Sequence, residues 1–590
     1  MAAQRSANRP PNNSFLPLIL VGIFACLALS LWGAVSFARA LDDQPVIANP
    51  MAVVFGLLIG TVPWPGVWAV VFLVVEVLLL ASLVVGAVLV VRRRRRGRTR
   101  VDDAARHLAV DRDLEPYTPA GAARSAARLR PRGAGDEMSG WGLFIGKIKR
   151  TLTAFLASWE DMIVIIAGPR VGKSTSQAIP MIVAAPGPVI ATSNKRDLHD
   201  ATRLSRSQRG QVWVFDPQDI IGAEPEFWFD PLAGITGPTE ADVLVSHFVA
   251  VSGADAKRDA YFDPEGEALL SYLLLAAAQN DRPITDAYKW AVNSNNREPI
   301  TLLGTENDLI ARKLQMLYEL PDKQREGVFS TAAKLMRCLE DPKILRWVVR
   351  PRRLGVRRFD PHAFVRSCDT LYLLSKEGGR TASPLVAALT QAVLDAGEAL
   401  AKRSAGARLD PPLVGILDEA ANVCRIKELP ALYSHYGSRG MVLVTILQSW
   451  EQGAEAWGDR GMTKLWSSAN VRVYLGGEAD EKLLNKIAQL IGDHYKVVYS
   501  ETRDRSGHSS RTGSPQPQLI FKVSDLAAFP RGRAIVLASG VPATLLETVP
   551  WMAGAHAQEI QRSLERYDPA FREHPIDPVL ATPLEEAGGA

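Results

Sequence analysis

A short aliphatic run leads straight into a phosphate loop. Met162-Ile163-Val164-Ile165-Ile166 is followed by Ala167-Gly168-Pro169-Arg170-Val171-Gly172-Lys173-Ser174-Thr175. No other stretch constrains the fold as tightly, because this chemistry needs one local geometry: a buried strand, a tight turn, then a helix. Gly172 lets the backbone turn so that successive N–H groups face the phosphates of a nucleotide. Lys173 places a cation on the β/γ oxygens, and Ser174 offers a hydroxyl to Mg²⁺. The helix that follows points its positive end at the anion. The stricter pattern has glycine where Ala167 stands, and alanine is a tolerated variant. The expected ligands are ATP and Mg²⁺, with Gly168 to Thr175 forming the cradle.

Seven further apolar runs accompany MIVIIA (162–167). They are PVIATS (188–193), QVWVFD (211–216), TLYLLS (370–375), LVGIL (413–417), MVLVTIL (441–447), VRVYL (471–475) and AIVLAS (534–539). Near-continuous apolar strands are buried on both faces, which predicts a parallel sheet with helices on each side. The pattern lapses between about 235 and 350, where EGEALLSYLLLAAA and DLIARKLQMLYEL have helical spacing. This predicts an α/β P-loop core over 141–235 and 350–545 with a mostly helical insertion at 236–349. Residues 101–140, rich in Ala, Arg, Gly and Pro, read as a basic linker. Residues 501–517 (ETRDRSGHSSRTGSPQP) read as a mobile loop, and 546–590 as a C-terminal tail.

Ahead of the core lie two membrane crossings. Residues 15–38 are uncharged, and 24 residues at about 1.5 Å each span a hydrocarbon layer of about 30 Å. Between Met51 and Val91 the only charge is Glu76; Pro63 and Pro65 break the run and place the second crossing at about 66–91. The 51–62 piece reads as extracytoplasmic or interfacial. Arg92 to Arg96, Arg98 and Arg100 follow at once, so this end faces the cytoplasm; Arg5 and Arg9 put the N-terminus on the same side. Residues 1–100 are thus a multi-pass anchor in the inner membrane. Ala38-Arg39-Ala40 has the form of a signal-peptidase site, but the apolar run is longer than a signal core and favours an uncleaved anchor. Glu76 is either a functional group in the membrane or a residue that is neutral or packed at a helix interface in an oligomer, and the second reading is preferred.

Composition narrows the function classes. Hydrophobic residues make up 47% and charged ones 22% of 590, ordinary for a globular chain. Cys26, Cys338, Cys368 and Cys424 lie far apart with no C-x-x-C pair, which argues against a disulfide framework or a zinc site. The net charge of +5 hides an asymmetry: residues 92–132 hold thirteen arginines against five acids, so everything else sums to −3. The bulk of the chain is no basic glove for nucleic acid, and any DNA contact must come from local loops.

Three more positions suit nucleotide chemistry. The run LVGIL ends in Asp418-Glu419. At the C-terminal edge of a strand, Asp418 is placed to hold the metal's hydration shell and Glu419 to polarise the attacking water; alone, such a pair is more often a helix cap. Gln448, ending MVLVTIL, suits a γ-phosphate sensor or a strand-end cap. Arg439, in GSRG before that run, suits either an arginine finger serving a neighbouring subunit or a surface ion pair.

The stretches AGPRVGKST, VIATSNKRDL, VWVFDPQ, ILDEAANV and SRGMVLVTILQS, with two N-terminal crossings, resemble the TraG/TraD-type coupling proteins of type IV secretion and conjugation. The likeness spans most of 160–480. It implies a RecA-like ring motor, working as a hexamer in the inner membrane, which binds ATP between subunits. Such a motor recruits relaxase-bound DNA and relaxosome proteins and feeds the DNA to the secretion channel. Carried onto this chain, Lys173 and Ser174 are the phosphate and metal groups, Asp418 and Glu419 the second acidic motif, Gln448 the sensor and Arg439 the finger. Two alternatives stand beside it: a double-stranded DNA pump of the FtsK/HerA-like class, and a membrane receptor or scaffold that binds ATP without hydrolysing it.

Overall fold

The structure is a computed structural model that describes residues 16–95, 99–131, 133, 135, 138–251, 259–304, 308–352, 355–378, 381–503 and 509–573. The positions of Arg5, Arg9, Arg96, Arg98 and the last dozen residues lie outside these. The chain divides into two compact units, Met1–Arg98 and Thr99–Ala590.

The first unit is helical: α1 (Leu16–Leu41), α2 (Pro50–Ile59) and α3 (Val67–Arg95). Small residues set the packing of α1 on α3. Ala34, Ala38 and Ala69 are buried with Phe72 and Leu73 against them, and the Phe37 and Phe72 rings lie 5.2 Å apart. Ser30 donates to the Glu76 carboxylate at 2.7 Å, so the lone acid of α3 is spent on a contact between helices. Among the described residues one helix, α1, is long and apolar enough to cross a bilayer, over Phe24–Leu41. The described apolar part of α3, Val67–Leu83, is shorter than a span.

The second unit is built on strands β1 (Leu143–Ile148), β2 (Ala154–Ala157), β3 (Ile163–Ile166), β4 (Val189–Ser193), β5 (Val212–Phe215), β6 (Phe227–Trp228), β7 (Arg357–Arg358), β8 (Thr370–Leu374), β9 (Leu413–Asp418), β10 (Met441–Leu447), β11 (Val471–Tyr474), β12 (Asp493–Arg503), β13 (Ser509–Leu519), β14 (Arg533–Ala538) and β15 (Thr544–Glu547). Eleven form one sheet in the order β2-β1-β15-β14-β11-β3-β10-β9-β4-β8-β5. From β11 to β5 every pairing is parallel. From β11 outward through β14, β15, β1 and β2 every pairing is antiparallel. Alternation explains the continuous apolar runs: Val164 and Ile166 of β3 enter one core, while Ile163 and Ile165 enter the other. Successive side chains point to opposite faces, and both faces are covered.

All eight predicted runs are strands, but the purely parallel sheet is not what forms. β14, the AIVLAS run, pairs antiparallel on both sides. β15 beside it, and β1 beyond β15, escaped notice because the first is four residues long and the second carries Gly146 and Lys147. Between Pro238 and Val348 the described elements are helices only, gathered about Phe262–Gln279, whose Leu269, Leu270, Leu273 and Leu274 are buried.

Three further expectations are corrected. The basic stretch expected as a linker is packed: Val101, Ala105, Leu114, Tyr117, Ala122, Ala126 and Leu129 are buried, and Tyr117 stacks on Phe155 at 4.7 Å. Its alanines are small enough to let backbone approach the sheet, so an alanine-rich composition here marks close packing rather than looseness. Arg130, buried over the Trp159 ring, pairs with Asp410 at 3.2 Å. Of the expected mobile loop at 501–517, residues 501–503 and 509–517 belong to the β12–β13 hairpin, which pairs in unbroken register from Asp493↔Leu519 to Arg503↔Ser509, while 504–508 lie outside the described residues. Finally, the expected tail forms a docked helix, Ala557–Tyr567, against the helix Asp197–Ser207. Ser563 donates to Asp200 O at 2.6 Å and accepts from Leu204 N–H at 3.1 Å. Ile560 and Leu564 are buried a helical turn apart.

Candidate nucleotide site

β3 ends at Ile166, and the chain turns through 167–173 into a wide helical turn (Ser174–Ala178) continued by the α-helix Ile179–Ala184. The root of the loop is tied to both neighbouring strands. Ala167 N–H donates to Leu447 O and Gly168 N–H to Gly476 O, each at 2.9 Å. The Ala167 methyl is buried in one of the two cores, which accounts for alanine at this position. Gly168 is obligatory for space: a Cβ there would lie 2.3 Å from Gly477 O. Gly172 has φ +94°, the left-handed conformation that glycine adopts without cost. Pro169 and Arg170 are exposed and 171–175 half-buried, so the cradle is open to a ligand. Thr175 Oγ1 donates back to Gly172 O at 3.3 Å.

The strand bearing the acidic pair is not the neighbour of β3; β10 stands between them. Lys173 reaches across the end of β10. Its ammonium hydrogen-bonds Glu419 Oε1 and lies 3.4 Å from Asp418 Oδ1. Gln448, the first residue beyond β10, donates from Nε2 to the same Glu419 Oε1 at 2.6 Å. Thr192, near the end of β4, donates to Asp418 O at 2.9 Å. Four strand ends thus converge on one point at the C-terminal edge of the parallel sheet, where α/β proteins bind ligands.

Glu419 sits at φ +53°, unusual for a residue with a side chain and worth of order 1–3 kcal/mol in strain. It precedes the helical turn Ala420–Val423 but makes no side-chain capping bond there. The cap reading of the acidic pair therefore does not describe its side chain. Burial pulls the Lys173 ammonium's pKa down, but Asp418 and then Glu419 outweigh it, and the net displacement is upward. Burial pushes the Asp418 carboxyl up to about 7, opposed by the Lys173 charge and reinforced by Glu419 and Asp197.

A nucleotide-bound Mg²⁺ fits these residues. Among the described residues no three His, Cys, Asp or Glu side chains gather to hold a metal on their own. Magnesium on a nucleotide needs no such cluster, since phosphates and water complete its shell. Asp418 Oδ1 and Glu419 Oε2 are buried acceptors without a hydrogen-bond donor, and Ser174 starts the helix.

Arg439 is not brought to this point within one chain. It lies in the turn before β10, at the opposite end of a strand about 23 Å long, and pairs with Glu398 of the helix Ser383–Ala401. Two other groups went unnoticed in the sequence. The loop Gly476-Gly477-Glu478 after β11 backs the phosphate loop, and Glu478 accepts from the N–H groups of Trp450, Ala479 and Asp480 at 2.8–3.0 Å; two glycines closing a buried strand were the available signal. Glu377, beyond β8, accepts from Asn194 at 2.7 Å and Asn422 at 3.0 Å, linking the turn after the acidic pair to β4 and β8; nothing in the sequence marked it.

Fold and site together define a mixed α/β core that carries a phosphate-loop motif at the C-terminal edge of its parallel strands. Residues 412–531, from β9 through the β12–β13 hairpin and past it, match the family described as the TraM recognition site of TraD and TraG. The resemblance to TraG/TraD-type coupling proteins is borne out over this stretch, which holds Asp418, Glu419 and Gln448. Among solved structures, the chain is similar to the bacterial conjugative coupling protein TrwBdeltaN70 in its unbound form, at 14% identity and TM-score 0.49, covering 73% of this chain and 93% of that one. TrwB with the non-hydrolysable ATP analogue ADPNP matches at 15% identity and TM-score 0.47, covering 66% and 86%. VirB4 of Thermoanaerobacter pseudethanolicus matches at 14% identity and TM-score 0.41, covering 71% and 98%. No curated protein sequence matches.

Proposed function

We propose that this chain is a membrane-anchored, ATP-driven motor that recruits relaxase-bound DNA and moves it to a type IV secretion or conjugation channel. The observation that carries the reading is the convergence of Lys173, Asp418, Glu419 and Gln448 on one buried point beside an open phosphate loop.

In the nucleotide-free chain Lys173 is held by the two carboxylates. An incoming triphosphate offers it denser negative charge, so Lys173 swings to the β/γ oxygens and frees Glu419. Backbone N–H groups from Gly168 to Thr175 orient the phosphates. Ser174 and Asp418 would hold Mg²⁺, which supplies charge neutralisation at the phosphate oxygens. Glu419 then accepts a proton from the attacking water. Gln448, bonded to Glu419 from the end of β10, fixes the carboxylate's direction and reports the γ-phosphate to that strand.

A complete site needs a ring. Arg439 lies at the far edge of the sheet, so it serves only a neighbouring subunit's nucleotide; a hexamer is the assembly proposed. Anchoring is proposed to use both α1 and α3 in the inner membrane, with both ends of the anchor cytoplasmic. In support, α3 is 29 residues long, about 44 Å at helical rise, and ends in arginines. The 412–531 match supports a contact with relaxosome proteins through that segment. Phosphate release by the full chain in detergent, with and without DNA, tests the motor. Turnover that vanishes in Lys173→Ala is expected; ATP binding without turnover under every DNA condition would leave a nucleotide-set receptor instead.

A further inference from the structure

A motor that moves DNA must grip a polyanion, yet most of this chain is acidic. The net +5 comprises +8 from residues 92–132 and +7 from residues 343–366, so everything else sums to −10. The second basic stretch holds eight lysines and arginines against Asp360 alone. It carries the chain from the helix Pro342–Val348 back to β8.

Six of its described basic residues fall into two groups. Arg346 and Lys343 are taken by Glu224 and Asp219. Arg350, Arg352, Arg357 and Arg358 are exposed, and Arg350 and Arg352 have no ion-pair partner among the described residues. Asp360 accepts from His362 N–H at 2.8 Å, and Arg358 forms a loose ion pair with Asp230 at 3.9 Å, too far for a good hydrogen bond.

The backbone under Arg357 and Arg358 is held by strand pairing. β7 pairs in parallel with β6, and Phe359 N–H donates to Trp228 O at 2.8 Å. Phe359 is buried against Phe227, Trp213 and Phe364, with ring centroids 5.4–5.6 Å away. Arg357 lies over the Trp213 ring at 5.3 Å and donates to Gln211 at 3.2 Å. The Arg357 guanidinium, laid on an aromatic ring, is pre-oriented, so little of its freedom is lost on binding. Planar guanidinium forks match phosphate oxygens. Trp213 is already covered, so it offers no free face for a base to stack on.

We propose that Arg350, Arg352, Arg357 and Arg358 form a sequence-independent binding site for the phosphate backbone of DNA, beside edge strand β5. The site rests on the motor reading above. It positions the strand without reading bases, and stands at the N-terminal side of β8, away from the nucleotide.

The test is binding of a fluorescein-labelled oligonucleotide, single-stranded and duplex, to the full chain in detergent across a salt series. Each lost phosphate contact lowers the slope of log K against log salt by about 0.9 on duplex and about 0.7 on single strands. Arg350→Ala with Arg352→Ala is expected to lower the duplex slope by about 1.8. Lysine at both positions should keep most of it, and ATP turnover without DNA should not change. An unchanged slope and affinity in the alanine variant overturns the site. So does retained DNA binding with lost binding to vesicles rich in anionic lipid, which would make the patch a membrane contact. If the wild-type chain hydrolyses ATP but binds neither DNA form, the motor reading falls, and this site with it.

Discussion

Lowering the pH from 8 to 6 should weaken Mg²⁺-nucleotide binding by about tenfold through Asp418 alone. The carboxyl is buried at the end of β9, and burial raises it to about 7 against the pull of Lys173. A metal accepts only the carboxylate, so a proton must leave whenever Mg²⁺ enters below that pH. The direction follows from the sign of the shift. A raised carboxyl is neutral below its pKa, so the cost of coordination grows as pH falls through 7 and vanishes above it. The apparent dissociation constant is multiplied by roughly 11 at pH 6 and roughly 1.1 at pH 8, a difference on the order of 1.4 kcal/mol. At pH 7, binding should release about half a proton from this group. Calorimetry of Mg²⁺ with ADP in two buffers of different ionisation enthalpy measures that release. Asp418→Asn in parallel reports whatever the nucleotide itself contributes. Equal proton release by the wild type and the asparagine variant would refute Asp418 as the titrating metal group.

Other changes test the site and its support. Glu419→Gln should keep ATP binding, measured with a fluorescent analogue, while phosphate release falls by about 10²-fold or more. Gly168→Ala drives a methyl into the Gly477 backbone; nucleotide affinity should fall sharply, with a stability loss of about 1–3 kcal/mol in denaturant titration. Arg206, buried and bonded to Ala185 O, Gly187 O, Cys368 O and the Thr370 hydroxyl at 2.6–3.0 Å, ties the 185–187 turn to the 368–370 segment at one end of the sheet. Arg206→Ala should cost about 3 kcal/mol or more by leaving those acceptors unpaired, and Arg206→Lys should restore only part of it.

The basic stretch at 350–358 shows how composition misleads at two scales. Whole-chain charge argued against a DNA-binding glove, since most of the protein is acidic. The relevant quantity was local: four exposed arginines, of which Arg357 lies over the Trp213 ring. Their accessibility depends on which neighbours take up Arg346 and Lys343, and that information is not local in sequence.

The same division holds for the fold. Local stereochemistry made the phosphate loop legible, because a strand, a glycine at φ +94° and a helix are specified by adjacent residues. Burial made eight strands legible, because a strand covered on both faces must be apolar throughout. β1, β2 and β15 stayed hidden, since short strands on an antiparallel flank tolerate Gly146 and Lys147. The segment 101–140 looked like a linker because its alanines and arginines carry no period of their own; the sheet supplies the surface that buries Val101, Leu114 and Tyr117.

By itself, then, the sequence determined that a nucleotide cradle follows β3 and that carboxylates end β9. Only the tertiary structure decided that they meet. Lys173 and Glu419 are separated by 246 positions, and their contact depends on β10 lying between their strands so that Gln448 joins them. Strand order in a parallel sheet is set by how all the crossover helices pack, a property of the whole chain that no short motif encodes. It also put Arg439 at the opposite edge, paired with Glu398 and away from the point where Lys173 and Glu419 meet.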